Sequence, residues 1–193
     1  MKRNLNQPAP EITRETIFLS IDVESNGLQG EAFAVGAVLL RADNTKLDDF
    51  LGRSPITGEL DTWVKKNVLP PMKNVPEDYK TAKDMRNGFW SWYRIAKEKA
   101  DYVLVDNGYP VEARFLITCQ QDDLEDRYWD HPFPLLDVSS LLIQVGVKPL
   151  AIRTEFVAER LDKQMGDRHE PRTDAWVSAL AAIKALEISG RLS

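Results

Sequence analysis

An apolar run that stops at two closely spaced carboxylates constrains this chain more than any other feature. Residues 17–21 read Ile-Phe-Leu-Ser-Ile, and Asp22 and Glu24 follow at once, separated by one residue. Because side chains alternate across a strand, both carboxylates are predicted to project from the same face. Neighbouring carboxylates repel, and a hard divalent ion such as Mg²⁺ or Mn²⁺ relieves that repulsion. The stretch therefore predicts either a metal site at the end of a strand or a strand whose polar face ends at a loop.

The composition is typical of one soluble domain. The chain has 193 residues, and it contains no apolar run of transmembrane length and no signal peptide. Residues 1–13 are polar and contain two prolines, which predicts a flexible tail before a single domain at residues 14–193. The single Cys119 lies in an apolar segment, as expected for a structural thiol in a reducing compartment. We therefore expect a cytoplasmic protein that does not bind membranes.

The formal net charge of −5 argues against a surface that coats nucleic acid. It does not exclude an enzyme that acts on nucleic acid, because a site built from carboxylates is itself negative and recruits metal ions to meet phosphate. Local basic and aromatic side chains would then guide the strand, with solvated surface charges and a packed tryptophan as the alternative interpretation. The candidates are Lys65, Lys66, Lys73, Arg168, Arg172 and Trp63.

The order of predicted elements indicates an α/β protein. A hairpin leads the chain, since two runs of strand formers are joined by a turn that contains two glycines. Strand–helix alternation follows, which predicts a mixed sheet flanked by helices, with short turns at residues 58–76 and a loop at 120–134. Strands are predicted at residues 15–24, 32–41, 46–53, 102–105 and 133–137. Helices are predicted at residues 76–100, 110–119, 138–145, 151–163 and 171–189.

A second set of candidate residues lies just before and within the last predicted helix. His169 belongs to a predicted loop at residues 165–170, and Asp174 lies in the first turns of the helix. A histidine on a loop beside a fixed carboxylate is the arrangement that a general base needs next to a two-metal site. The alternative is a solvated loop histidine and a carboxylate that interacts with the helix dipole.

Together, these motifs resemble the DEDDh-type 3′–5′ exonucleases. Asp22-x-Glu24 at the end of a first strand, with Gly27 and a hairpin after it, is similar to the first motif of that family. His169-x₄-Asp174, which leads into an Ala-rich helix near the C-terminus, is similar to the third motif. The resemblance covers almost the whole chain and implies a ribonuclease H-like fold.

The chain departs from the family at the second motif. The family has an Asp in the first turn of a helix that follows a strand, and Glu112 stands at the matching position here. Phe115 and Leu116 occupy the expected apolar places, while Asp106 lies six residues before Glu112, at the end of the predicted strand. Either Glu112, whose extra methylene still allows it to reach a metal, or Asp106 would serve as the third metal carboxylate.

The resemblance implies a metal-dependent enzyme that cleaves single-stranded nucleic acid from its 3′ end. Two divalent ions, Mg²⁺ or Mn²⁺, would lie about 3.5–4 Å apart, and His169 would take the proton from the attacking water. The alternatives are a hydrolase of very short oligonucleotides or nucleotide-like phosphodiesters, and an inactive nucleic-acid-binding module. The carboxylates that would hold the ions are Asp22, Glu24, Asp174 and either Glu112 or Asp106. The residues expected to face the 3′-terminal nucleotide are Ser25, Asn26, Gly27 and Leu28. DNA or RNA preference and the oligomeric state stay open.

Overall fold

A computed structural model describes residues 11–161 and 169–192 of the protein. Residues 1–10 of the predicted tail lie outside the described residues. Ile12 pairs with Leu192 in an isolated parallel bridge and packs against the core. The folded part of the chain therefore includes Ile12.

The centre of the protein is a five-stranded mixed sheet with the order β3-β2-β1-β4-β5. Strand β1 pairs antiparallel with β2, and β2 pairs antiparallel with β3. Strand β4 lies parallel to β1 on its other side, and β5 lies parallel to β4. The predicted mixed sheet is confirmed. The strands are β1 (Ile17–Ser25), β2 (Ala32–Arg41), β3 (Lys46–Arg53), β4 (Tyr102–Val105) and β5 (Leu135–Asp137).

Helices flank both faces of the sheet, as predicted. Among the described residues, no helix has the length and the apolar character needed to cross a membrane. Short 3₁₀ helices lie at Pro71–Asn74 and Ala158–Arg160. The α-helices are α1 (Thr62–Asn67), α2 (Ala82–Lys99), α3 (Val111–Gln121), α4 (Leu124–Arg127), α5 (Val138–Gln144), α6 (Arg153–Phe156) and α7 (Pro171–Ile188).

Alternation along β1 divides the core into two layers. Phe18 faces the layer that contains α5 and α7, whereas Leu19 and Ile21 face the layer of α2 and α3. By the same period of two, Asp22 and Glu24 lie on the α7 face. Strand β1 is thus apolar on both faces at its start, and it carries carboxylates on one face at its end.

The predicted helix at residues 76–100 begins later, at Ala82. The Thr81 side chain caps its first turn by accepting a hydrogen bond from a backbone amide. Before the cap, the Tyr79 amide donates to the Arg53 carbonyl at 3.1 Å, which holds this segment against the end of β3. That contact joins residues far apart in sequence, and local propensity carries no signal for it.

The predicted helix at residues 151–163 is wrong in its described part, which forms only α6 and a 3₁₀ turn. The cause is the buried Arg153, whose guanidinium donates to the Asp106 carboxylate and to the Ala151 carbonyl. These bonds hold the chain near Arg153 in a bend instead of a continuous helix. A second correction concerns the predicted loop at 120–134, part of which forms α4 with Asp123 as its cap.

Candidate metal centre

The carboxylates of Asp22 and Glu24 lie at the carboxyl end of β1, where the sheet meets the first turn of α7. Both side chains are half-buried and line one polar cavity of about 310 Å³. The register of β1 against β2 shifts between Glu24 and Ser25, so a bulge ends the regular pairing directly after the second carboxylate. The predicted same-face placement of Asp22 and Glu24 agrees with their shared cavity.

A glycine on β2 allows α7 to approach the sheet at this point. Gly36 pairs with Asp22, and a Cβ atom on it would lie 2.0 Å from the Arg172 nitrogen and 2.2 Å from the Pro171 carbonyl carbon. Any side chain at Gly36 would therefore push the first turn of α7 away. The close approach brings Asp174, in that turn, beside the carboxylates of β1.

His169 and Asp174 complete one side of the centre. The His169 amide donates to Asp174 Oδ2 at 2.8 Å, and His169 Nδ1 lies 3.4 Å from Glu24 Oε1. One potential ligand atom from each of these three residues lies within 4.8 Å of the other two. His169 has a φ of 65°, a left-handed conformation that is uncommon outside glycine and that clusters at functional sites. The structure thus brings together His169, Glu24 and Asp174, three of the residues predicted from the sequence.

Glu112 lies in the first turn of α3 and is 7% exposed. Burial raises the pKa of Glu112 to about 7, and the negative charges of Asp106 and Glu24 add to the rise. The side chain thus lies in the same electrostatic cluster, although it is not among the residues that line the polar cavity. With a pKa of about 7, Glu112 is only partly ionised near pH 7, and a bound cation would favour its ionised form.

Asp106 lines the polar cavity at the end of β4, and it has a protein cation beside it. Arg153 Nε lies 2.7 Å from Asp106 Oδ1, and the Asn107 side-chain amide donates to Asp106 Oδ2 at 3.1 Å. The pKa of Asp106 is raised above its usual value, because burial and the negative charge of Asp137 raise it more than Arg153 and a hydrogen bond from Ser178 lower it. The two candidates for the third carboxylate therefore differ, because Asp106 is paired with an arginine.

Four other carboxylates lie close enough to Asp22 to affect its pKa. Burial raises the pKa of Asp22 well above its usual range. The Glu24 pKa is also raised by burial, and a hydrogen bond from His169 offsets part of that rise. Neighbouring negative charges raise the Asp22 pKa further, and in order of decreasing effect they are Asp174, Glu24, Glu112 and Asp106.

The donor set fits a hard divalent cation. Within residues 11–161 and 169–192, no Lys, Arg or His forms an ion pair with the carboxylate of Asp22 or Glu112. Oxygen ligands of this kind suit Mg²⁺ and Mn²⁺. The negative charges of Asp174, Glu24, Glu112 and Asp106 all raise the pKa of Asp22, and a divalent ion would relieve this repulsion.

A second space adjoins the carboxylates on the side of α1. This space, the Trp63 slot, has a volume of about 470 Å³ and is lined by residues that include Val23, Glu24, Leu28, Trp63 and Val64. Trp63 is 58% exposed, and its ring meets the His169 ring edge-on with centroids 5.8 Å apart. The slot therefore offers two uncovered apolar side chains, Leu28 and Trp63, next to Glu24.

Three of the four predicted substrate-facing residues line the Trp63 slot, namely Ser25, Gly27 and Leu28. The fourth, Asn26, turns its side chain toward the segment before α1. Asn26 Nδ2 donates to the Glu59 carbonyl at 2.9 Å, and Asn26 Oδ1 accepts from the Asp61 amide at 2.8 Å. These bonds give the Asn26 side chain a positioning role, since Asp61 is the N-cap of the helix that carries Trp63.

The predicted basic guides differ in their surroundings. Lys65 and Lys66 are exposed on α1, close to Trp63 in sequence, and Lys73 is exposed in the 3₁₀ helix at Pro71–Asn74. Arg172 is paired with Asp49 at 3.3 Å and is less available for a ligand. Arg168 lies outside the described residues.

Sequence reasoning missed two contributors to the centre. One is Arg153, which lines the polar cavity and pairs with Asp106, 47 residues earlier in the sequence. The other is the bond between Asn26 and Asp61, which spans 35 residues. Both are long-range contacts, and the only local signal is the capping pattern of Asp61 ahead of a short helix.

A scan of the chain against protein-family models found no match, and neither did a search of curated proteins.

Proposed function

We propose that this protein is a metal-dependent 3′–5′ exonuclease that hydrolyses single-stranded nucleic acid, with a ribonuclease H-like fold. One observation carries the proposal: the cluster that Asp22 and Glu24 form with Asp174, Glu112 and His169 at the carboxyl end of β1, the central strand of the sheet. The carboxylates come from three separate elements, β1, α3 and α7. The mixed sheet flanked by helices is the coarse architecture that the resemblance implies, and it supports the finer assignment.

Four carboxylates would hold two divalent ions in this proposal, namely Asp22, Glu24, Glu112 and Asp174. We choose Glu112 over Asp106 as the third carboxylate, because Asp106 is paired with Arg153 and Glu112 has no such partner among the described residues. When bound, the ions supply Lewis-acid chemistry, which makes water a better nucleophile and stabilises charge on the phosphate and the leaving oxygen.

His169 receives the proton of the attacking water in this scheme. Its contact with Glu24 places a negative charge 3.4 Å from Nδ1, which favours the protonated ring that results from the transfer. The bond from its own amide to Asp174 fixes the backbone, so the ring is held at the centre instead of being free on a loop. Trp63 limits the ring on one side.

The Trp63 slot supports binding of a nucleoside beside the carboxylates. A base stacks on an exposed aromatic ring, and such contacts contribute about 1–3 kcal/mol per base. Leu28 supplies an apolar surface in the same slot. The exposed lysines of α1 offer positive charge for the strand despite the acidic total.

Product analysis on end-labelled strands tests the proposal. A single strand labelled at its 5′ end should give a ladder that shortens by one nucleotide at a time, only when Mg²⁺ or Mn²⁺ is added. The same strand labelled at its 3′ end should release its label first, as a mononucleotide. Asp22→Asn should abolish both results, whereas Glu98→Gln, which changes an exposed carboxylate on α2, should not.

Other outcomes separate the alternatives. Cleavage confined to the shortest strands would favour the oligonucleotide hydrolase, and binding without cleavage would favour an inactive module. Equal cleavage in excess chelator would contradict the proposed metal dependence. Matched DNA and RNA strands in the same assay decide the sugar preference.

A further inference from the structure

The polar cavity has a second wall, which the carboxylates do not form. This wall, called the 150–154 wall, consists of Leu150, Ile152 and Thr154. Leu150 and Ile152 lie just before α6, and Thr154 lies in its first turn. Leu150 is 82% exposed and Ile152 is 41% exposed. Two large apolar side chains are thus uncovered at the border of a cavity whose other side carries charged groups.

Arg153 fixes this wall in place. Besides its bond to Asp106, the guanidinium donates to Ser139 Oγ at 2.7 Å and to the Ala151 carbonyl at 2.6 Å. Ser139 Oγ also lies 3.1 Å from the Pro149 carbonyl, so the wall is tied to the start of α5 at two points. The segment that carries Leu150 and Ile152 is therefore held in place before a ligand binds, which lowers the entropy cost of binding.

The polar cavity and the Trp63 slot adjoin the same carboxylate. Glu24 and Val23 line both spaces, so a ligand bound at Glu24 would border each of them. The slot has about 470 Å³ and the cavity about 310 Å³, and each is at the small end of the range of ligand pockets. A strand whose phosphate lies at the carboxylates would thus have one nucleoside on each side.

We propose that the 150–154 wall is the subsite for the nucleoside on the 5′ side of the scissile phosphate, an inference that rests on the proposed function. Leu150 and Ile152 contact the face of the base, and Thr154 offers a hydroxyl to the sugar. In the reaction, the oxygen of water bonds to phosphorus and the bond from phosphorus to the 3′ oxygen breaks. His169 takes a proton from the attacking water. The departing 3′ oxygen takes a proton from a solvent water molecule and leaves with the nucleoside on the wall, and His169 then returns its proton to solvent.

Two substrates that differ only in the leaving group test this subsite. One is a dinucleotide, whose leaving group is a nucleoside, and the other is the p-nitrophenyl ester of thymidine 5′-monophosphate, whose leaving group has no base or sugar. Replacing both apolar side chains (Leu150→Ala with Ile152→Ala) should lower kcat/KM for the dinucleotide by roughly 10-fold, which corresponds to about 1.4 kcal/mol. The same change should alter kcat/KM for the nitrophenyl ester by no more than about 2-fold.

Ile143→Ala is the matched control, because Ile143 is an exposed aliphatic residue on α5 that does not line the cavity. It should leave both rates unchanged. Equal loss of rate on both substrates would overturn the subsite, since the wall would then act on the carboxylates and not on a nucleoside. Unchanged rates on both would overturn it as well.

A binding measurement keeps this inference separate from the proposed function. A wild-type protein that hydrolyses neither substrate would refute the exonuclease. The dissociation constant of a non-hydrolysable methylenephosphonate-linked dinucleotide would then decide the subsite alone. The double variant should weaken this binding by roughly 10-fold, and an unchanged constant would overturn the subsite.

Discussion

Neutralising Glu112 should stabilise the metal-free fold, whereas neutralising Asp106, the other candidate for the third metal carboxylate, should not. Glu112 is buried without an ion pair in the described chain, whereas Asp106 is paired with Arg153. Glu112→Gln removes a charge that destabilises the metal-free fold. Asp106→Asn instead leaves the buried Arg153 without its counterion. Stability and activity therefore respond differently in the two variants.

The pKa of Glu112 sets the size of the first effect. It is raised from 4.5 to about 7, and each pKa unit corresponds to about 1.36 kcal/mol. The ionised carboxylate thus destabilises the metal-free fold by roughly 3 kcal/mol above pH 8. Glutamine removes the charge but still buries an amide, so we expect the free energy of unfolding to rise by about 1–3 kcal/mol.

The second effect follows from the burial of Arg153, whose side chain is 9% exposed. Removing one partner of a buried ion pair costs about 3–5 kcal/mol. Asp106 is partly exposed, and asparagine keeps an oxygen that accepts a hydrogen bond. Burial also raises the Asp106 pKa despite Arg153, so removal of the charge offsets this cost, and we expect Asp106→Asn to change the free energy of unfolding by no more than about 1 kcal/mol.

The difference between Glu112→Gln and wild type should depend on pH in a defined direction. The folded-state pKa of Glu112 lies above the unfolded value, so protonation stabilises the fold fully below pH 4.5, and this stabilisation is lost as pH rises through about 7. The variant should exceed wild type most at pH 8 and least near pH 5. Urea unfolding of metal-free protein at these two pH values measures the difference, with the exposed Glu98→Gln as control.

Activity with Mn²⁺ gives the other half of the test. Glu112→Gln should lower kcat/KM by at least about 100-fold, equivalent to roughly 2.7 kcal/mol of transition-state stabilisation. Glu112→Asp should keep substantial activity, and Asp106→Asn should lose much less than Glu112→Gln. If Asp106→Asn is the inactive variant while Glu112→Gln stays active and no more stable than wild type, the assignment of Glu112 is refuted.

Three further predictions follow from the centre. His169→Ala should lower turnover by roughly 10²–10⁴-fold while Mn²⁺ still binds, and a near-normal rate would make His169 an ordinary loop residue. Gly36→Ala should lower both the unfolding free energy, by about 1–3 kcal/mol, and the activity, because its Cβ would displace the first turn of α7; unchanged activity would contradict this packing. Asn26→Ala should raise KM more than it lowers kcat and change Trp63 fluorescence, whereas a kcat effect alone would argue against a positioning role.

The strands were predictable from sequence because each has a local signal. The run from Ile17 to Asp22 changes from apolar on both faces to polar on one, and the turn after it contains glycines. Pro171 likewise predicts the start of α7, where it occupies the first helical position. These features depend only on residues close in sequence.

The rest depends on contacts between distant residues. The bend near Arg153 arises from its bond to Asp106, and the late start of α2 arises partly from the contact of Tyr79 with β3. The sequence favoured Glu112 by its position in the second motif and left Asp106 as the alternative. The position of Arg153 adds a physical difference between them, because it supplies a cation to Asp106 and not to Glu112.

The number of Mn²⁺ ions bound per chain tests the central claim most directly, because the account requires the carboxylates at the end of β1 to hold divalent metal. Titration of metal-free protein, with free Mn²⁺ followed by electron paramagnetic resonance, should show two ions per wild-type chain that Mg²⁺ displaces. The negative charges of the other four carboxylates all raise the pKa of Asp22. Asp22→Asn should therefore lose at least one of the two bound ions. Absence of saturable binding at millimolar Mn²⁺, or the same stoichiometry and affinity in Asp22→Asn as in wild type, would contradict the account.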